Sequence, residues 1–223
     1  MLHHPAFQQK RFKEAISDVT QKAELELLND PNVNTEMSGS TMCLVIVCSN
    51  QIIVANIGDS RVILGKNGIS LDAVVEPLTV DHKPSHPSEK NRIVSSGGRV
   101  FPVVYPDGVV GPDRVWLADQ RSPGLAMSRS VCDEIAHRAG VISAPDFFER
   151  IIQIPQDLVL ILATDGLWDV VSNRDAVQLC LRKHDTSVAV SNLIKEARQR
   201  WRCRSSCMDD VTVCVAFFHT SSP

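Results

Sequence analysis

Apolar residues spaced three or four apart, at Phe12, Ile16, Val19, Ala23 and Leu27, predict a helix over residues 6–28, with Pro5 tolerated near its start. The polar run NDPNVNTEMSGS, residues 29–40, ends that periodicity and reads as a loop. A β-branched block follows. TMCLVIVC (41–48) and QIIVANI (51–57) flank Ser49-Asn50, a two-residue hairpin connection, and RVILG (61–65) resumes after Gly58-Asp59-Ser60. Lys66-Asn67-Gly68 is a further tight turn, so the block predicts an antiparallel meander.

The pattern then loosens. Pro84 and Pro87 stiffen a loop, and residues 89–95 predict a short helix that stops at Gly97-Gly98. Residues 99–117 alternate short strands with Pro/Gly turns. Residues 150–155 read as a strand, and residues 157–164, apolar on both faces, as a central one. Helices are predicted over 172–182 and 186–201, and DDVTVCVAFF, 209–218, closes with a strand. With no repeat and no low-complexity linker, one domain over residues 1–223 is expected: a helical segment at 1–30 and a core at 39–218. Sheets packed on one another with helices outside fit that order.

Composition narrows the class. The chain is 43% hydrophobic and 22% charged, as in an ordinary globular protein. Its 23 Lys and Arg against 26 Asp and Glu give a formal charge of -3 with no basic block, which argues against nucleic-acid binding. No apolar run approaches membrane-spanning length, and no signal-peptide-like stretch opens the chain. The 7 cysteines are an odd number, several in strand-like runs, which suits reduced buried thiols and a cytoplasmic or nuclear protein.

Three acidic positions share a context. Asp133 follows an apolar approach, Asp165 ends the central strand in LILATDGLWDVV, and Asp209-Asp210 precede the last strand. Strand ends bring distant residues to one rim, and carboxylates gathered there are the ligands magnesium or manganese prefers. An aspartate before a glycine is also a common turn residue, and the residues alone leave both readings open. Asp59 reads as a turn residue and His82 as a loop residue without a partner at ligand spacing. Cys132 and Arg138 have the spacing of cysteine-dependent phosphatases, but the intervening loop starts with Asp133 and Glu134 and holds no glycine. Those acids repel phosphate and raise the thiol pKa. Cys203 and Cys207 lack a second pair of zinc ligands in sequence view, and Ser96-Gly97-Gly98 lacks the lysine and hydroxyl of a P-loop.

Taken in order, the motifs resemble the metal-dependent serine/threonine protein phosphatases of type 2C, the PPM family. The matching runs are Gly39-Ser40-Thr41, then ANIGDSR ending at Arg61, then LTVDHKP ending at Pro84 with Glu89, Arg92, Ile93 and Gly97-Gly98. LAMSR ending at Arg129 with Asp133, ATDGLWD ending at Asp169, and DDVTV from Asp209 complete the series. The resemblance implies an α+β fold, a sandwich of two antiparallel β-sheets flanked by helices. It implies phosphoserine or phosphothreonine hydrolysis by a water held between two Mg2+ or Mn2+ ions. By that likeness Asp165 and Asp209 match metal ligands, Asp133 matches a residue of an additional weaker site, and Asp59, Asp81 and Trp168 match scaffold residues.

The departures shape the expectation. The family's phosphate-binding arginine and its Asp-Gly-His-Gly run, with the bridging aspartate and a histidine, have no counterpart in these 223 residues, so the domain reads as N-terminally incomplete. Cys132 stands where the family usually has glycine, and Asp210 where it usually has asparagine. The expectation is weak or single-metal binding and little activity from this chain. A catalytically inactive binding or regulatory protein is the alternative. A phosphoprotein substrate or regulatory protein is the expected partner, with association at an exposed sheet edge.

Overall fold

The structure, a computed structural model, describes residues 1–68, 73–105, 108, 110–183, 185–204 and 207–219. Its helices are α1 (Pro5–Gln8), α2 (Phe12–Leu28), α3 (Pro87–Ser95), α4 (Glu134–Arg138), α5 (Asp165–Trp168), α6 (Asn173–Leu181) and α7 (Thr186–Arg204). The strands up to the middle of the chain are β1 (Gly39–Ser40), β2 (Met42–Cys48), β3 (Gln51–Ile57), β4 (Arg61–Lys66), β5 (Val74–Pro77) and β6 (Arg99–Val104). Those after it are β7 (Val110–Trp116), β8 (Pro123–Leu125), β9 (Val131–Cys132), β10 (Asp146–Ile151), β11 (Asp157–Ala163) and β12 (Val213–Phe217). They fall into two units: Met1–Met42, Ala55–Asp59 and Asp81–Phe147 make the first, and Cys43–Val54, Ser60–Val80 and Phe148–Pro223 the second.

In the first unit the single helix predicted over 6–28 is broken. Lys10 takes a left-handed φ of 60°, the Arg11 amide donates back to the Ala6 carbonyl at 2.8 Å and the Lys10 amide to Phe7 at 3.0 Å. These bonds close the end of α1. In a continuous helix Phe7 and Phe12 would diverge by about 140°. The break brings their rings edge to face at 5.1 Å. Phe12, Ala15, Ile16 and Thr20 bury one side of α2, whereas Leu25, Leu27 and Leu28 near its end are exposed. Antiparallel β6, β7 and β8 form a three-stranded sheet. Its Val115 packs with Ile93 of α3, Ala136 of α4, Ala139 and Val141.

The second unit is where the sandwich lies. Antiparallel pairing gives the order β12-β11-β4-β5, and β10-β3-β2 forms the other sheet. Side chains alternate across each strand. Val62 and Leu64 of β4 and Leu160 of β11 meet Ile52 and Val54 of β3 between the sheets. Ile63, Val159 and Ile161 face the opposite way, onto Val177 of α6 and Leu193 of α7. The central place predicted for residues 157–164 holds, because β11 lies between β4 and β12 and needs apolar residues on both faces. The hairpin at Ser49-Asn50 is also present, with Ser49 at φ 55°. Part of the turn predicted within residues 99–117 falls on residues 106, 107 and 109, outside the described residues.

Candidate active site

Asp165 is the first residue of α5 and is half-buried where β11 ends. Its neighbours are tied to the segment leading into β12. The Thr164 amide donates to the Thr212 carbonyl at 3.1 Å. The Thr212 amide donates to the Thr164 hydroxyl oxygen at 3.1 Å, and that hydroxyl donates to the Asp210 carbonyl at 3.4 Å. Gly166 explains why the run reads Asp-Gly. A Cβ there would lie 2.1 Å from the Asp210 carbonyl oxygen, so only glycine lets α5 start against this segment. Two tryptophans fix the corner from behind. Trp168 is buried and its indole N–H donates to Ala163 at 2.9 Å, while that of Trp201 donates to Gly166 at 2.7 Å. Arg61 stacks over the Trp168 ring at 5.3 Å. The result brings the Asp165 and Asp209 segments together. Asp209 itself is exposed, and one of its carboxylate oxygens accepts the Asp210 amide at 2.8 Å.

Asp133 belongs to the first unit and is built differently. Cys132 and Asp133 both have left-handed φ, 67° and 51°, where a side chain is strained. The strain falls where glycine was expected in place of Cys132. The strand pair of β1 with β9 sets Gly39 opposite Cys132. A Cβ on Gly39 would meet the Asp133 carboxylate at 2.1 Å, so the first motif of the series exists to make room for this side chain. Asp133 is 8% exposed, and its amide donates to Ser38 at 3.0 Å. The Cys132 amide donates to Glu24 at 2.9 Å. Burial, followed by the charges of Glu24, Asp133 and Glu134, pushes the Cys132 thiol pKa up, which disfavours the nucleophilic thiolate.

Residues read from the sequence as structural prove to join a charge network built around the buried Glu89 and His82. Glu89 accepts from Arg92 and Arg129, each at 2.8 Å, and from the Ser128 hydroxyl at 2.6 Å. Burial alone would raise its pKa, but these donors hold it far below the ordinary carboxylate range. Arg129 continues to Asp146 at 2.7 Å, and Asp146 accepts from His82 Nε2 at 3.1 Å. The Gly58 amide donates to His82 Nδ1 at 3.0 Å, which requires a neutral ring with its proton on Nε2. Burial accordingly lowers the His82 pKa. Asp59 is buried and pairs with Lys83. Nothing in local spacing marks these partners, since Asp146 lies far along the chain from His82.

Chemically, the arrangement offers two carboxylate segments at a strand-end corner and a third carboxylate in the other unit. Among the described residues, no three His, Cys, Asp or Glu side chains gather closely enough to hold a metal ion. Part of the Cys203–Cys207 run, residues 205 and 206, lies outside the described residues.

Comparison with known proteins places the chain. The protein phosphatase 2C family profile matches residues 3–207. Probable protein phosphatase 2C 12 of Oryza sativa subsp. japonica is 40% identical over 215 residues, covering 94% of this chain and 54% of the relative. Probable protein phosphatase 2C 34 of Arabidopsis thaliana is 37% identical over 201 residues, covering 89% and 55%. The chain thus spans about half the length of these relatives. Serine-threonine phosphatase 2C from Toxoplasma gondii superposes with a TM-score of 0.77 at 26% identity, over 97% of this chain and 72% of that one. The serine/threonine phosphatase Stp1 from Staphylococcus aureus, 17% identical with a TM-score of 0.60 over 99% and 71%, shares the fold alone. With the ordered motifs and the sandwich already in hand, these matches lead to one conclusion: the chain belongs to the protein phosphatase 2C family.

Proposed function

We propose that this chain serves the hydrolysis of phosphoserine and phosphothreonine in proteins, with Asp165 and Asp209 as carboxylates for a magnesium or manganese ion and Asp133 for a weaker additional one. The observation that carries this reading is the Thr164–Thr212 strap, which holds the two aspartate-bearing segments at one strand-end corner. The family is metal-dependent. Among the described residues the candidate carboxylates supply only part of a coordination shell, and Asp210 adds repulsion beside them, so weak or single-ion binding and slow turnover are expected.

Calorimetric titration of manganese into the protein, with turnover of a phosphothreonine peptide, tests this. Weak binding that drops further in Asp165→Ala and Asp209→Ala, with turnover near background, is expected. Unchanged metal affinity in both variants would remove the site assignment. Strong manganese-dependent turnover that Asp165→Ala abolishes would instead remove the expectation of slow turnover.

Partners would be phosphoprotein substrates, and a second chain at the β2 edge. Strand β2 ends the order β10-β3-β2, and none of its 7 residues, MCLVIVC, is buried. The edge strands β10 and β5 carry Glu149 and Arg150, and Glu76 and Pro77 respectively, whereas β2 has no charge or proline to discourage pairing. The buried thiols Cys132 and Cys180 support a reducing location, in cytoplasm or nucleus.

A further inference from the structure

The long helix α7 divides its residues between three tasks, and one of them has no use inside the molecule. Ala189, Leu193 and Ala197 are buried against the β11 side of the second unit and fix the helix in place. Arg200 donates to Glu196 and Asp175, and Arg204 lies over the Trp201 ring, so these cations are spent internally. On a third face, Val190, Ser191, Ile194, Lys195, Arg198 and Arg202 follow the three- and four-residue helical repeat and line a surface groove of about 720 Å³. Val190 and Ile194 are half-buried in it, while Lys195, Arg198 and Arg202 are exposed. Among the described residues, these exposed cations have no acidic partner.

We propose that this face docks an acidic segment of a protein partner, with an apolar side chain of that segment seated on Val190 and Ile194. Charge complementarity selects the occupant. A concentrated positive face on a chain of formal charge -3 raises the local concentration of carboxylates and orients their approach. A lipid surface is a poorer fit, because among the described residues Val190 and Ile194 are the apolar ones on this face, and half-buried they leave little to insert. A nucleic acid is a poorer fit too, because no aromatic ring is among the described residues of this face. The described residues that line the surface all belong to α7, so the inference does not depend on the phosphatase reading.

The probe is a fluorescein-labelled peptide of Glu-Glu-Leu repeats, followed by anisotropy with the full chain. Saturable binding is expected, weakening steadily with added sodium chloride. The triple variant Lys195→Glu, Arg198→Glu, Arg202→Glu should lose at least about tenfold in affinity, since each exposed charge contact contributes a small factor. Arg200→Gln, whose pairs are internal, should lower the unfolding temperature and leave the affinity unchanged, which separates docking from loss of fold. Equal binding by the triple variant overturns the proposal, as does equal binding of a Lys-Lys-Leu peptide. Binding of phosphatidylserine vesicles or a single-stranded oligonucleotide without binding of the acidic peptide overturns it as well.

Discussion

Replacing Gly166 with alanine tests the corner that carries Asp165. The added Cβ would fall 2.1 Å from the Asp210 carbonyl oxygen, 2.9 Å from its carbon and 3.3 Å from Val211 Cγ2. Ordinary carbon–oxygen contact needs roughly 1 Å more, and the obstructing atoms are backbone, so no rotamer change can relieve them. The Asp210–Thr212 segment is in turn held by the hydrogen bonds to Thr164, so moving it costs some of those bonds. Overpacking of this kind costs about 1–3 kcal/mol. Against it stands the better helix propensity of alanine, about 1 kcal/mol. With about 1 kcal/mol added for a lost hydrogen bond to Thr164, the net loss of about 1–3 kcal/mol lowers the unfolding temperature by roughly 2–12 °C in a chain of this size. Thermal unfolding followed by far-UV circular dichroism reads the loss, and tryptophan fluorescence reads the local shift, because Trp201 donates to the Gly166 carbonyl. Gly111→Ala is the control, its Cβ lying 3.1 Å from the Tyr105 ring, a movable side chain, and 3.4 Å from the Val103 carbonyl oxygen, an ordinary contact. A Gly166→Ala protein that unfolds at or above the wild-type temperature would refute the packing argument.

Acid should destabilise the chain in two steps. The His82 pKa is lowered from 6.5, so as pH falls the unfolded chain takes up that proton first and stability declines below about pH 6.5. Glu89 is held below its ordinary 4.5, so its contribution, present above that value, is lost as pH falls further through the folded pKa. Glu89→Gln leaves Arg92 and Arg129 without their shared carboxylate and should cost about 3 kcal/mol near neutral pH. It should also flatten the lower step, and deepen the upper one slightly, because the Glu89 charge partly offsets the lowering of the His82 pKa. Urea midpoints measured from pH 8 to pH 3 would contradict this if the wild-type curve were level across the range. At the β2 edge, Val47 is 51% exposed, and Val47→Lys should shift self-association toward monomer in analytical ultracentrifugation. A wild-type protein that is already monomeric at high concentration counts against the edge as a second-chain site.

The elements that the sequence announced were those whose burial follows a simple period. Residues 157–164 are apolar on both faces because β11 is covered by a sheet on one side and helices on the other, and α6 and α7 bury a clear stripe. The break at Lys10 was hidden because Phe7 and Phe12 pair outside helical spacing. Helices α4 and α5 are too short to show a period at all. Motif order put Asp165, Asp209 and Asp133 forward as candidate ligands, but the reasons for Gly166 and Gly39 were not legible. Gly166 and Gly39 are required by contacts with Asp210 and Asp133, each far along the chain, and no local pattern encodes such a contact. His82 and Asp59 looked like loop residues because their partners, Asp146 and Lys83, are named only by the fold.

The interleaving of the two units bears on how the chain is made. The first unit is finished once Phe147 has been synthesised, whereas the second has by then received its early strands but not β11 or β12. Strand β4 must wait for β11, since Ile63 pairs with Ile161 about a hundred residues later. Until that moment Val62 and Leu64 on one face and Ile63 on the other have no finished core to enter. No single cut in the polypeptide releases either unit whole, so neither can be inherited or exchanged as a module. During translation the early strands of the sandwich therefore expose apolar faces prone to aggregation until LVLILA emerges to cover them.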